Sequence, residues 1–327
     1  MTSTIEQTDH EFLDAACRTL RAPAGDTDPL DALGWWDLLA DLADRDVRGA
    51  ALALFRAQGR ELASSTALGA LIAQPFAALT GHAPGSLVAA IGRHSPRRGE
   101  RQVVLGDVTG AALLVDRPGH GAVVVGADEI ELAPVTVPGQ LVVHEVVTDL
   151  AGAPATVEES QAGPARARAR SLGRLALALE ILGAAEGTLT LAVAHAATRE
   201  QFGKPIGTFQ AVRHLLAWAQ TDCVALESVT TVAIGLDEDS APPRHDEIVK
   251  ALAGRNGRRI CERTLQVLGA IGFTSEHSHH HFHSRVLALD ALLGSSTELT
   301  YALGAWARAT HLDPAVRASV LLRDPAA

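Results

Sequence analysis

The sequence contains no run of 18 uncharged apolar residues, so nothing in it reads as a membrane-spanning helix. Its opening, MTSTIEQTDH, lacks both a basic start and an apolar stretch, which argues against a secretory leader. Cysteine is scarce: Cys17, Cys223 and Cys261 lie far apart and form no CxxC pair. That pattern argues against a disulfide framework or a structural zinc site, and a reducing cytoplasm is the expected compartment. Positive charge is also in short supply, with 28 Lys and Arg against 38 Asp and Glu, a net charge of −10. Nucleic acid is therefore not the expected partner. Gly and Pro, at 29 and 15 of 327 residues, are too few for a disordered chain. The remainder, 47% hydrophobic and 20% charged, describes a globular protein with room for two or three domains and a large core.

Three zones follow along the chain. In the first, Phe12, Leu13, Ala16, Cys17 and Leu20 recur at spacings of three and four, the apolar stripe of a helix. Asp28 and Pro29 have the chemistry of a helix cap and first turn ahead of Leu30, Leu33, Trp36 and Leu39. In the second zone, short aliphatic runs at residues 103–105, 113–115, 123–125, 130–132 and 141–143 are separated by Gly and Pro. This spacing predicts an antiparallel sheet or barrel, and the lack of intervening helical segments disfavours a parallel βαβ sheet. The third zone is helical again, with helices expected over Ala165–Thr198, Phe209–Leu236, His245–Leu268 and Val286–Thr310. Pro164 suits the start of the first, and the acidic, Pro-containing stretch 237–244 reads as a loop. The expected fold class is α+β, mostly α: an N-terminal helical domain (1–90), a small middle antiparallel β-domain (91–158) and a C-terminal four-helix bundle (159–327).

Two segments of the third zone carry a resemblance. REQFGKPIGTFQ, from Arg199 to Gln210, is similar to the acyl-CoA dehydrogenase signature R-x-x-F-G-x-x-[IL]-x-x-x-Q. QVLGAIGF, from Gln266 to Phe273, resembles that family's second signature, Q-x-x-G-G-x-G-F, at the right interval. Gly34-Trp35 followed by Leu38 and Leu39 is similar to its N-terminal LGW…LL stretch. The resemblance implies a helix–strand–helix fold, usually a tetramer, and FAD-dependent α,β-dehydrogenation of an acyl-CoA thioester. In such enzymes a carboxylate takes the α-proton while FAD takes the β-hydride, and an electron-transferring flavoprotein usually accepts the electrons. It also implies cofactor contacts from Arg199, Gln201, Phe202, Phe209, Gln210, Gln266, Gly269 and Ala270, directed at the flavin of a neighbouring subunit. The chemistry of these residue types suits the task. A guanidinium offers planar donors to a pyrophosphate, an aromatic ring packs on a flat cofactor, and amides read heteroatom edges. Gly203 is expected to end the helix, and Gly269 and Gly272 to let backbone approach phosphate. The same residues also read as ordinary helix-end chemistry: Arg199 as a cation at a C-terminus, Phe202 and Phe209 as core anchors, the glycines as a cap.

The sequence departs from the family where the base is expected. One family placement, just before a Gly-Ser or Gly-Thr pair, falls on Leu293, ahead of Gly294 and Ser295. The other, counted back from Arg199, falls on Gly173. Neither side chain accepts a proton. Asp290, one turn before Leu293, is the candidate substitute, with a capping or solvent-facing role as its alternative, and Glu180 and Glu186 do not match the spacing. No T-E-P-x-x-G-S-D-like flavin-holding stretch lies between Leu87 and Val157. The basic stretch Arg93–Arg101 reads either as a solvated loop or as a contact for CoA phosphate. The expected assignment is the base-lacking partner in a heterotetrameric (α2β2) acyl-CoA dehydrogenase. A homologous subunit would carry the catalytic Glu, and such pairs are associated in actinobacteria with bulky esters, including steroid side chains. The alternatives are a self-sufficient homotetramer with a displaced base and a noncatalytic assembly subunit. The catalytic residue of this chain itself stays unassigned. His277, His279, His280, His281 and His283 are expected in a polar loop rather than in a metal site.

Overall fold

A computed structural model describes residues 4–22, 28–95, 99–150, 152–236 and 241–310. Up to Thr80 the described elements are helices: α1 (Thr4–Arg21), α2 (Pro29–Ala32), α3 (Trp35–Ala40), α4 (Arg45–Glu61) and α5 (Ala67–Thr80). Their ends are set by local chemistry. Asp28 accepts from Leu30 N at 3.0 Å with Pro29 in the first turn, and Asp44 accepts from Asp46 N and Val47 N. Trp35 is fully buried, and its indole N–H finds the carbonyl of Ala51 at 2.9 Å.

Strands then run β1 (Leu87–Ala89), β2 (Ile91–Ser95), β3 (Gly99–Leu105), β4 (Ala112–Asp116), β5 (Ala122–Val125), β6 (Leu132–Val137) and β7 (Leu141–Val146). They form two sheets, β1-β4-β5 and β2-β3-β7-β6. All pairings within these sheets are antiparallel except β1 with β4, which is parallel; the β2–β3 hairpin carries the chain across between them. The expectation of an antiparallel sheet is thus corrected at one pairing. Alternation along β1 and β2 divides the burial. Leu87, Ala89 and Ile91 join the helical core, while Val88 and Ala90 pack with Val104, Leu113 and Val115 in a second cluster.

The C-terminal part holds α6 (Glu159–Thr198), the hairpin strands β8 (Glu200–Gln201) and β9 (Lys204–Pro205), α7 (Gln210–Ile234), α8 (His245–Leu268), α9 (His279–Asp290) and α10 (Ser296–Ala309). The expected fourth helix is therefore two, broken by Leu293 (φ 53) and Gly294 (φ 96) in left-handed conformations. Ser295 then starts α10 in a capping box with Glu298. At 40 residues, α6 spans about 60 Å. It is long and apolar enough to cross a membrane by length and composition, but 72% of its most apolar stretch is buried inside the protein. Gly59 and Gly183 let α4 and α6 touch: a Cβ on either would lie 2.1 Å from Glu180 O or 2.0 Å from Arg56 O.

Candidate functional site

The first signature segment is a hairpin at the end of α6. Arg199 caps the helix, its N–H bonded to His195 O and its carbonyl accepting from Ile206 N, both at 2.8 Å. The chain reverses between β8 and β9 through Phe202 (φ 55) and Gly203 (φ 78), two consecutive left-handed residues of the kind that tight hairpins require. Gly203 therefore shapes a β-turn; the helix has already ended at Thr198, which corrects the expected role of this glycine. The turn throws Phe202 outward, 92% exposed and edge-on to Phe209 at 6.1 Å. Lys204 Nζ lies 4.8 Å from the Phe209 ring centre. Phe209 precedes α7, and Gln210 opens it on the exposed side. Gln201 is exposed, its side chain turned to the carbonyl of Glu200. The Arg199 guanidinium is exposed and makes no ion pair or hydrogen bond among the described residues.

The second signature ends α8. Gln266 and Ala270 are exposed, and Gly269 turns the chain at φ 64 with open space where a Cβ would point. Gly272 differs: it is buried, and a Cβ there would meet Leu265 and Leu268 at 2.8 and 3.0 Å. Its smallness serves packing within the turn, which corrects its assignment to a phosphate approach. Ile271 and Phe273 beside it stay exposed, Phe273 at 76%. The two segments share one end of the bundle because Ala192 and Ala196 of α6 pack with Val267 and Leu268 of α8, flanked by Ile206, Val212 and Leu215. No direct bond joins the Arg199 and Gln266 side chains; both face outward from a common apolar base.

The histidine run is helical from His279 onward, which corrects the expected loop. His279 is 1% exposed, its Nε2 within 3.0 Å of Cys261 O and 3.2 Å of Thr264 Oγ1. Burial pushes its imidazole down to about 4, so it is neutral at physiological pH. His195 is also lowered, by burial first and then by the charges of His277 and Arg199, so these three groups share the same end of the bundle.

The two expected base positions, 120 residues apart, converge. A Cβ on Gly173 would stand 2.6 Å from Leu293 Cδ1. Leu293 lines a cavity of about 330 Å3 among α5, β1–β4, α6 and the α9–α10 break. Its floor is apolar, with Ile72, Phe76, Leu114 and Ala169; its charged groups are Asp116, Arg166, Arg170, Arg174 and Glu298. Asp116 is held by Arg166 at 2.6 Å, and Glu298 accepts from Ser295 N and Oγ. Asp290 does not face this cavity. It is buried, accepts from Ser296 N and Oγ at 3.0 and 2.9 Å, and lies 3.5 Å from the buried Lys250 Nζ. It braces the start of α10. Glu180 is paired with Arg285, and Glu186 with Arg56 and Arg60. In the basic stretch, Arg101 is exposed and pairs with Glu145; the side chains of residues 93–100 lie outside those described. Sequence reasoning missed the arginine ladder 166, 170, 174, whose signal was its i, i+4, i+8 spacing.

Residues 167–304 match the family model "Acyl-CoA dehydrogenase, C-terminal domain". The acyl-CoA dehydrogenase FadE34 of Mycobacterium tuberculosis is 35% identical over 201 residues, covering 59% of this chain and 27% of FadE34. The chain spans about a quarter to two fifths of the length of the first curated relatives it matches. Among solved structures, a variant of the Tcur3481–Tcur3483 steroid ACAD aligns with a TM-score of 0.71 at 23% identity, covering 92% of this chain and 96% of the other. The ChsE4–ChsE5 complex from Mycobacterium tuberculosis aligns at 0.66 and 21%, covering 96% and 99%. At these identities the structural likeness is one of fold.

Proposed function

We propose that this chain, whose residues 167–304 match the acyl-CoA dehydrogenase C-terminal domain, is the base-lacking subunit of a heteromeric, FAD-dependent acyl-CoA dehydrogenase. The observation that carries this reading is the meeting of Gly173 with Leu293, which lines the cavity, with Asp290 committed to α10. A carboxylate from a homologous partner subunit then removes the α-proton. The same commitment of Asp290 counts against a self-sufficient enzyme with a displaced base.

The residues at the bundle end fit a flavin nucleotide shared with a second chain. Arg199 offers an uncompensated guanidinium for the pyrophosphate, Phe202 and Phe273 offer exposed ring faces, and Gln210, Gln266 and the open backbone at Gly269 offer amide contacts. Neither Gln201 nor Ala270 is buried, so both stay available to the same ligand. When bound, FAD supplies the two-electron acceptor for the β-hydrogen of the acyl-CoA. This chain's part is to hold the nucleotide and to exclude water from it. On α7, Trp218, Val224 and Val232 are exposed, an apolar face that supports coverage by another subunit. The likeness to a steroid ACAD and to a two-protein complex supports a bulky, steroid-like acyl ester turned over in the partner's pocket; the family resemblance implies an electron-transferring flavoprotein as acceptor. Three free cysteines among the described residues suit a cytoplasmic setting.

Co-purification with a homologous subunit that carries the missing Glu tests the reading. The complex should be yellow and reduce an electron acceptor with an acyl-CoA. Arg199→Ala should weaken flavin binding by about 10- to 150-fold, the loss of roughly 1.5–3 kcal/mol of charge-assisted bonding. Unchanged flavin occupancy after dialysis would overturn the assignment.

A further inference from the structure

The cavity lined by Leu293 is more than a vacated acid site. Arg166, Arg170 and Arg174 come to it from successive turns of α6. The outer two are compensated. Arg166 is bound to Asp116 and Glu159 at 2.6 and 2.7 Å, and Arg174 to Asp246 at 2.8 Å, Glu247 at 3.3 Å and the carbonyl of Leu293 at 3.0 Å. Arg170, between them, makes no ion pair or hydrogen bond among the described residues. It is exposed and lines the cavity, so it stands at the mouth. Beneath it lies the apolar floor of Ile72, Phe76, Leu114 and Leu293. A volume of about 330 Å3 lies at the small end of ligand pockets.

We propose that this cavity is a ligand site of its own, for a compact monocarboxylate whose apolar body fills the floor and whose anion meets Arg170. A guanidinium fork matches a carboxylate in shape as well as charge. An inorganic anion leaves the floor wet, and a thioester carbonyl brings no charge to Arg170. The site goes beyond the heteromeric reading and does not rest on it, because binding is read without flavin, partner or turnover.

Calorimetric titration of the full chain with cyclohexanecarboxylate tests the site. Saturable one-to-one binding is expected. Arg170→Gln, an exposed change, should weaken it at least tenfold, and cyclohexanecarboxamide should bind the unaltered chain at least tenfold more weakly than the acid. Ala291→Phe, at an exposed position on the cavity wall, should abolish binding without touching Arg170. Circular dichroism of each variant separates loss of the site from loss of the fold. The proposal is overturned if no saturation occurs up to ten times millimolar ligand, if the amide matches the acid, or if folded Arg170→Gln binds as the unaltered chain does. It is equally overturned if coenzyme A alone binds in an Arg170-dependent way and the carboxylate does not, which would make Arg170 a phosphate contact.

Discussion

Replacing Arg285 by methionine should cost this protein much of its stability, and the reason is a single buried guanidinium. Arg285 of α9 is 0% exposed and Glu180 of α6 is 2% exposed. Arg285 Nε and Nη2 donate to Glu180 Oε1 at 3.0 and 2.6 Å, Nη1 donates to Gly139 O at 3.3 Å, and Nη2 also donates to Ala63 O. One side chain thus ties the segment after α4, the β6–β7 turn and two bundle helices together. Removing it strands a buried carboxylate, a loss of about 3–5 kcal/mol. The buried Gly139 carbonyl and the part-buried Ala63 carbonyl lose a charged donor as well, so the upper end of that range is expected. Typical total stabilities are only about 5–15 kcal/mol. Burial already pushes the Glu180 carboxyl up, and Arg285 opposes it. Without Arg285 the folded-state value rises further above the unfolded one. Stability of the variant is then greatest below the ordinary carboxylate range and falls as pH rises through the folded value. Urea unfolding followed by tryptophan fluorescence at pH 5 and pH 8 reads both effects. The double variant Glu180→Leu, Arg285→Met should recover about 3 kcal/mol relative to Arg285→Met at pH 8, because the stranded charge is gone. A double variant as unstable as the sum of its singles would refute the coupling, as would Arg285→Met within about 1 kcal/mol of the parent protein.

Lys250 Nζ is fully buried against Asp290 O and Gly294 O, and burial lowers its ammonium to about 8 although Asp290 opposes the shift. Its folded value lies below its unfolded one, so its contribution is fully present above pH 10.5 and lost as pH falls to 8. The parent protein should gain up to about 3 kcal/mol on Lys250→Met between pH 7.5 and 10.5 in urea titrations; a flat difference would contradict the burial argument. Gly183→Ala should push α4 and α6 apart, since its Cβ would stand 2.0 Å from Arg56 O. A loss of about 1–3 kcal/mol is expected, and an unchanged melting temperature would mean the helices do not cross this closely.

Local chemistry was legible in the sequence; distant partners were not. The bounds His245–Leu268 of α8 coincide with the expected helix because punctuation marks both ends, Pro242 and Pro243 before it and Gly269 after it. The Asp28–Pro29 start was legible for the same reason. The α9–α10 break was missed although Ser295-x-x-Glu298 is a capping-box pattern, because the apolar spacing runs through it and Leu293 gives no hint of a positive φ. His279 looked like a solvated residue because its partners, Cys261 and Thr264, lie on the preceding helix. The parallel pairing of β1 with β4 was likewise hidden, since a hairpin separates the two strands and strand spacing carries no direction. At the bundle end, the motif interval was enough to expect Arg199 and Gln266 beside two helix ends, where both stand exposed, but not that Gly272 is consumed by packing while Gly269 is open.

The convergence of Gly173 and Leu293 adds a constraint that neither position carries alone. With 2.6 Å between a Cβ at 173 and Leu293 Cδ1, the two places compete for one volume. A carboxylate entering at 173 collides with Leu293 and with Ile72, whose nearest atom is 3.0 Å away. One entering at 293 is accommodated because residue 173 is glycine, yet that position holds an apolar side chain over an apolar floor. An ionised carboxylate on that floor would need a partner against desolvation, and the nearby cations Arg166 and Arg174 are already spent on Asp116 and Asp246. Among the described cations that line the cavity, Arg170 alone makes no ion pair or hydrogen bond. On the reading proposed above, the pocket favours an acid that arrives as a ligand, with its charge at the mouth, over one built into the chain, and the proton-abstracting carboxylate comes from the partner subunit.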